Sequence, residues 1–296
     1  MLCQDVYQQG AMVFTCGRCL SCRINRRRTW TARLVLESLL WGLDSSFITL
    51  TYDEKNCPID GSLKPKDLQD FIKRLRRHFN ARKIRYYAVG EYGDRSFRPH
   101  YHLVVYGVGP LEIAGSDFIG KPLSTIWGKG YVYATDVNEN TAQYVAQYVC
   151  KKMTSRDDPR LGGKFPEFSR MSLKPGIGKH ATSSMAQSLL NGHGWEQIEG
   201  MGDVPSQIRL QGKKYPIGRY LKKALRLEMG FSSDKLPLEG ERKVKDDLLI
   251  LQEEAKIAAA AEGRPDSWSV KRYLQQKNLG AIINLEAKQK LKRRNL

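Results

Sequence analysis

The chain has 296 residues, enough for one sizeable domain or two small ones with a buried core. Its 41% apolar and 27% charged content is that of a soluble globular protein, and 49 Lys plus Arg against 31 Asp plus Glu leave a net charge of +18. That surplus points to a polyanionic partner, nucleic acid ahead of an anionic membrane, and apolar runs such as "LVVYGVG" are too short to span a bilayer.

The first ten residues, "MLCQDVYQQG", lack the basic start and apolar stretch of a signal peptide, so a cytosolic setting with reduced thiols is expected. Four of the six cysteines lie at the front: Cys3, Cys16, Cys19 and Cys22. "CGRCLSC" contains two overlapping CxxC spacings, each able to supply two thiolates from a tight turn, and Cys3 offers a fourth. Two readings stay open here, a structural Zn²⁺ or a group of plain reduced thiols. A catalytic role is not expected, because no histidine is near in sequence, and Cys57 and Cys150 receive no role.

"RINRRRTWTARLVLESLLWG" reads as a helix, basic at Arg23, Arg26, Arg27 and Arg28 and apolar later at Leu34, Leu36, Leu39 and Leu40. "FITLTYDE" reads as a central strand. In "KPKDLQDFIKRLRRHFN", Leu68, Phe71, Ile72, Leu75 and Phe79 recur at three and four, which predicts an amphipathic helix. "KIRYYAVGEYG" and "PHYHLVVYGVG" read as two strands joined by the polar turn "DRSFR". A short helix "LSTIWGKG", a strand "YVYATDV" and a helix "NENTAQYVAQYVCKKM" follow, the last acidic at its start and basic at its end as a capped helix should be. The order β-α-β-β-(α)-β-α over residues 30–153 predicts an α+β fold, an antiparallel sheet with helices on one face, related to the ferredoxin-like and RRM-like arrangements.

Further on the pattern weakens. Residues 154–230 read as a loop-rich extension on that core, with one helix near "SSMAQSLL" and a basic helix at "YPIGRYLKKALRLEMG". Residues 231–296 read as a charged helical C-terminal appendage of one or two helices, and residues 1–29 as a separate Cys-rich basic segment.

Only five histidines occur, and His100 and His102 stand one residue apart in "FRPHYHLVVYG". Side chains alternate along a strand, so both point to one face together with Val104 and Tyr106. That face is expected to be the open side of the sheet, with Tyr101, Leu103 and Val105 under the helices. Glu91 precedes the turn on the neighbouring strand, and an antiparallel hairpin brings it beside the start of the next strand. Two imidazoles and a carboxylate form a three-ligand site suited to Mn²⁺ or Zn²⁺, and less well to Mg²⁺, which prefers oxygen. The plain alternative is a pair of surface histidines. In "AQYVAQYVCKKM", Ala142, Val145, Ala146, Val149, Cys150 and Met153 form an apolar stripe, while Tyr144 and Tyr148 lie one turn apart on the other side and are expected outside the core. Beside a divalent cation such tyrosines can attack a phosphate, with Lys151 and Lys152 placed to stabilise charge. Idle surface tyrosines are the plain alternative.

"PHYH" preceded by a strand glutamate and followed by "YVAQYV…KK" resembles the HUH endonucleases, in the motif order of rolling-circle replication initiators. "FITLTYDE", "CGRCLSCRINRRRTW", "EFSRMSLKPGIG" and "GRYLKKALR" are similar to the initiators of small single-stranded DNA phages, the gokushovirus-like microviruses, and the resemblance covers most of Cys16 to Gly230. It implies that His100, His102 and Glu91 hold Mg²⁺ or Mn²⁺ at the scissile phosphate. It implies that Tyr144 or Tyr148 attacks, leaving a 5′-phosphotyrosyl bond and a 3′-hydroxyl primer, and that the second tyrosine serves a later cut and the rejoining of the circle. The partners it implies are single-stranded DNA and the replicative-form origin, with the host helicase and replication machinery as further candidates and the bacterial cytoplasm as the setting. One departure is Tyr101, bulky where the motif's middle residue is aliphatic; it must fit the core or stay partly exposed.

Two other readings differ in class. A non-catalytic binder of single-stranded nucleic acid needs only exposed aromatics and the positive charge. A zinc DNA-binding module built on the cysteines leaves the gathering of Glu91, His100, His102, Tyr144 and Tyr148 unexplained. "RINRRR", "KRLRRHF" and "KQKLKRRNL" are solvated faces or parts of a DNA path. "KPGIGKH" is a Gly-Pro loop or a set of amides near a phosphate, and His180 and His193 have no role.

Overall fold

The computed structural model describes residues 2–10, 12–93, 96–110, 123–148, 156–191 and 194–294. In chain order its elements begin with β1 (Tyr7–Gln9), β2 (Met12–Phe14), α1 (Leu20–Trp41), β3 (Ser45–Tyr52), α2 (Pro65–His78), β4 (Arg85–Tyr92) and β5 (Pro99–Tyr106). Next come α3 (Leu123–Trp127), β6 (Gly130–Asp136), α4 (Glu139–Gln147), β7 (Phe168–Met171), α5 (Ala181–Leu190) and α6 (Gly194–Met201). The chain closes with β8 (Gln207–Leu210), β9 (Lys213–Pro216), α7 (Gly218–Glu228), α8 (Leu238–Ala261) and α9 (Val270–Arg294). Two compact units result, one of Arg27–Ser183 with Arg209–Ile217, the other of Met1–Arg26, Ser184–Ile208 and Gly218–Leu296.

The first unit is built on a five-stranded antiparallel sheet in the order β6-β3-β5-β4-β7. β3, β4 and β5 are rich in β-branched and aromatic residues and have paired neighbours on both edges, so nearly every position along them is buried. One face carries Ile48, Leu50, Tyr52, Tyr101, Leu103 and Val105 against Leu68, Phe71, Ile72 and Leu75 of α2 and Trp127 of α3. α2 starts with Pro65, has Asp67 in its first turn and Arg76, Arg77 and His78 in its last, an arrangement that suits the helix dipole.

The α+β class and the antiparallel sheet agree with expectation, but the helices do not keep to one face. Phe47, Tyr87, Val89, Val104 and Tyr106 on the opposite face pack against Leu34 and Val35 of α1 and Ala142, Val145 and Ala146 of α4. The reason lies in composition: a sheet face bearing five large apolar side chains loses too much free energy in water to stay open. The face expected to be open is therefore roofed.

Tyr101 is fully buried. Its hydroxyl lies 2.9 Å from that of Tyr52, accepts the Lys64 amide at 2.9 Å and reaches the Lys64 carbonyl at 3.0 Å. A phenol is tolerated in this core because its polar end is paired. "KPGIGKH" is likewise a structural loop. Ile177 is fully buried, the Gly178 amide donates to Glu37 Oε2 at 2.6 Å, and Arg85 bridges Glu37 Oε1 at 2.5 Å to the Pro175 carbonyl at 2.8 Å. The buried Glu37–Arg85 pair is thus satisfied on both sides.

In the second unit, β1 and β2 form a small hairpin. α7 buries Leu221, Ala224 and Leu225, and Arg226 makes a two-pronged ion pair with Asp203, Nε to Oδ1 at 2.8 Å and Nη2 to Oδ2 at 2.5 Å. Cys3 and Val6 pack with Leu248 of α8 and Val270 and Leu274 of α9. No helix among the described residues is long and apolar enough to cross a membrane.

Candidate active site

The register of three strands assembles the site. Glu91 on β4 stands directly opposite His100 on β5, and on the other side of β5 Thr51 faces His100 and Thr49 faces His102. Directly paired residues of an antiparallel ladder share a face, so all five side chains project together. Each threonine hydroxyl meets a histidine Nδ1, Thr51 with His100 at 3.2 Å and Thr49 with His102 at 2.9 Å. The hydroxyls fix the ring planes and leave each Nε2 to the site.

His102 Nε2 is 2.8 Å from Glu91 Oε1, and both residues are buried. A carboxylate oxygen is only an acceptor, so this contact requires a proton or a cation between the two atoms. His100 is half-buried and does not join them as closely. Its Nε2 lies beside Gly93, where an added Cβ would come within 3.1 Å of it. Among the described residues, only the four cysteines bring three or more metal-ligating atoms within 4.8 Å of one another.

Over this face lies α4. Asn138 accepts the Thr141 amide at 2.9 Å and Thr141 Oγ1 accepts the Asn138 amide at 2.8 Å, a reciprocal cap that fixes where the helix begins. With Ala142, Val145 and Ala146 seated on the sheet, the tyrosines meet the histidines. The His102 ring lies between Phe47, stacked at 5.9 Å, and Tyr148, stacked at 5.4 Å, while Tyr144 meets it edge-on at 5.1 Å. The Tyr144 hydroxyl is 3.5 Å from His102 Nε2.

The two tyrosines differ in access. Tyr144 is 41% exposed and Tyr148 only 9%. Tyr148 therefore departs from the expectation that both lie outside the core, because the helix side opposite the apolar stripe is turned partly toward the roofed histidine face. Burial, and after it the negative charge of Glu91, pushes the Tyr148 phenol well above the ordinary range. Lys151 and Lys152 lie outside the described residues.

Two features were not foreseen. Tyr131 and Tyr133 on the edge strand β6 pair with Thr51 and Thr49, which places them on the histidine face, 71% and 62% exposed. The alternation of "YVYATDV" shows that both tyrosines share a face, but which face follows only from the register with β3. A cleft of about 430 Å³ is bordered by Arg27, Arg28, Asn140, Gln143, Lys213 and Lys214. Its acidic member, Glu139, is engaged by Lys213 at 2.8 Å and by the Tyr215 hydroxyl at 2.5 Å. Apart from these, Cys3, Cys16, Cys19 and Cys22 converge in the second unit.

Residues 45–153 match the family of the replication-associated protein ORF2, a span that contains β3 through α4 and every histidine, carboxylate and tyrosine just described. The chain is similar to phage replication-associated proteins. It is 31% identical over 163 residues to the replication-associated protein VP4 of Bdellovibrio phage phiMH2K, covering 50% of this chain and 51% of that protein. It is 31% identical over 178 residues to the replication-associated protein ORF2 of Spiroplasma virus 4, 55% of each chain. The replication-associated protein ORF4 of Chlamydia phage 1 is 26% identical over 234 residues, 74% of this chain and 55% of that protein. The resemblance read from the motifs is thereby shown. The chain spans about half the length of the relatives it matches, and no solved structure matches it.

Proposed function

We propose that this chain initiates rolling-circle replication by nicking single-stranded DNA at an origin, with Tyr144 as the attacking residue beside His102 and Glu91. The observation that carries the reading is the Tyr144 hydroxyl 3.5 Å from His102 Nε2, on a partly exposed residue of a helix clamped over a buried His–Glu pair. The Tyr144 oxygen forms a bond to the scissile phosphorus as the bond to the 3′ oxygen breaks. The phenol loses its proton and the departing oxygen gains one, so the products are a 5′-phosphotyrosyl bond and a 3′-hydroxyl able to prime synthesis. Rejoining is the reverse exchange.

The donor set fits a divalent cation. Two cis ligands bound at about 2.1 Å in an octahedron lie about 3.0 Å apart, close to the 2.8 Å between His102 Nε2 and Glu91 Oε1. His102 and Glu91 would hold Mn²⁺ or Mg²⁺ with His100 as third ligand, and the ion would supply charge stabilisation at the phosphate. The chain's own part is positioning: Thr49 and Thr51 hold the imidazoles, Phe47 and Tyr148 keep the His102 ring in plane, and α4 delivers Tyr144. Exposed Tyr131 and Tyr133 offer faces on which bases stack, and Arg27, Arg28, Lys213 and Lys214 offer phosphate contacts. Lys151 and Lys152 follow α4 in sequence and are proposed to stabilise phosphate charge.

The exposed tyrosines equally support the second reading, a binder without catalysis. The two part on one experiment. Protein is mixed with circular single-stranded phage DNA and Mn²⁺ and run on a denaturing gel. The enzyme gives a covalent protein–DNA adduct that His102→Ala abolishes while salt-dependent binding persists. Tight binding of the cognate DNA without adduct in any divalent metal selects the binder.

A further inference from the structure

We propose that Cys3, Cys16, Cys19 and Cys22 hold one zinc ion that pins the N-terminal hairpin and the start of α1 to the C-terminal helices. The sulfurs come from three places: Cys3 before β1, Cys16 and Cys19 after β2, and Cys22 in the first turn of α1. All four lie within 4.8 Å of one another, with Cys3–Cys22 at 3.6 Å, Cys3–Cys19 at 4.0 Å and Cys16–Cys22 at 4.0 Å. Four sulfurs bound at about 2.3 Å around one tetrahedral ion stand about 3.8 Å apart.

The spacing excludes the competing uses of four thiols. A disulfide needs its sulfurs about 2.05 Å apart, and these cysteines are free thiols whose sulfurs are nearly twice that distance from one another. A group of plain apolar cysteines has no reason to turn four sulfurs toward a common point, whereas one ion gives that reason. Two backbone amides already point at the sulfurs, Cys16 N–H to Cys3 Sγ at 3.2 Å and Cys19 N–H to Cys16 Sγ at 3.4 Å. Amide donors aimed at sulfur favour the thiolate, and the N-terminal end of α1 favours negative charge at Cys22 in the same sense.

The surrounding packing supplies the purpose. The buried apolar residues here are Cys3, Val6, Leu248, Val270 and Leu274, with Val13, Leu251 and Tyr273 partly buried against them. A cluster of that size stabilises a short hairpin and two long helices only weakly, and small cores are commonly completed by a metal or a covalent tie. Asp5, between the first two cysteine segments, is bound by Lys271 of α9 and by Arg18, so the same junction is drawn together electrostatically at its surface.

The test uses the full chain purified without chelator. Elemental analysis should find about one zinc per chain, lost in the double variant Cys16→Ser/Cys19→Ser and retained in Cys57→Ser. Replacement by Co²⁺ should give the intense visible absorption of a tetrahedral tetrathiolate ion, a readout independent of DNA processing. On chelation, trypsin should cut at Arg18 and Arg23 while residues of the sheet unit stay protected. Metal below about a tenth of an equivalent, together with prompt reaction of all four thiols with a thiol reagent, overturns the site, since an intact structural zinc site is a filled one. One iron per chain in place of zinc overturns the assignment of the ion. Should the double variant fail to fold, the cobalt spectrum of the unaltered chain decides alone.

Discussion

Tyr148 lies flat against His102, ring centroids 5.4 Å apart and planes 10° from parallel. Tyr144 approaches the same imidazole edge-on and brings its hydroxyl to 3.5 Å from Nε2. Two tyrosines four residues apart on α4 and its cap thus stand in unlike positions, one as a wall of the histidine and one as a group in reach of an incoming phosphate. Tyr144→Phe is expected to abolish the first nick and the covalent adduct. Tyr148→Phe keeps the ring, and with it the stack, so it should form the first adduct within about tenfold of the unaltered rate, a loss below about 1.4 kcal/mol of transition-state stabilisation, while yielding fewer rejoined circles. Mapping the adducted peptide by mass spectrometry checks this. Adduct on Tyr148 alone would reverse the assignment.

The hydroxyl of Thr49, 2.9 Å from His102 Nδ1, carries a second prediction. Thr49→Val keeps the shape of the side chain and removes the group that orients the ring. The Mn²⁺ concentration giving half-maximal adduct should rise about 10–100-fold, the usual effect of losing a partner behind a metal ligand, with yield restored at saturating metal. A lowered plateau with an unchanged midpoint would place the effect of Thr49 elsewhere than in metal affinity.

Much of this site was legible in the sequence, and the reasons are local. Leu68, Phe71, Ile72 and Leu75 recur at helical spacing and are the buried face of α2. The alternation in "PHYHLVVY" put both histidines on one face, and a short hairpin turn put Glu91 opposite His100. What was not legible depends on residues distant in sequence. That α1 and α4 roof the histidine face cannot be read from β5, because Val104 and Tyr106 would look the same in either layer. β7 is four residues in a Gly- and Pro-marked stretch, and its strand character comes from pairing with β4 about 80 residues earlier. The hairpin of β8 and β9 is equally short, and its Gln211-Gly212 turn, with φ of 47° and 79°, is the clearest local sign of it.

Tyr131 and Tyr133 stand two residues apart on an edge strand, both exposed and both on the histidine face. Removing either ring by Tyr→Ala should weaken binding of a short single-stranded oligonucleotide by about 1–3 kcal/mol, the range for one stacked base. The slope of log affinity against log salt should stay as it was, because no phosphate contact is lost. Fluorescence anisotropy at several salt concentrations measures both quantities. A change of slope with little change of affinity would move these residues from base stacking to backbone contact.

In the other unit the buried pair of Asp203 and Arg226, joined also by Lys222 at 2.6 Å from Oδ2, makes stability depend on acid. Burial alone would raise the Asp203 pKa, but the hydrogen bonds from Arg226 and Lys222 prevail and hold it below the ordinary carboxylate value. A carboxyl depressed in the fold contributes stability that is fully present above its unfolded pKa of about 3.9 and is lost as pH falls through the folded value. Asp203→Ala leaves Arg226 buried without its partner, a loss of about 3–5 kcal/mol near neutral pH. Hydrogen exchange at the amides of α7 should therefore be markedly faster in the variant at pH 7. Chemical unfolding of both proteins should show the gap narrowing below about pH 4, where protonation weakens the same pair in the unaltered chain. A gap that stays constant down to pH 2 would mean that side-chain packing at Asp203, rather than its charge, stabilises α7.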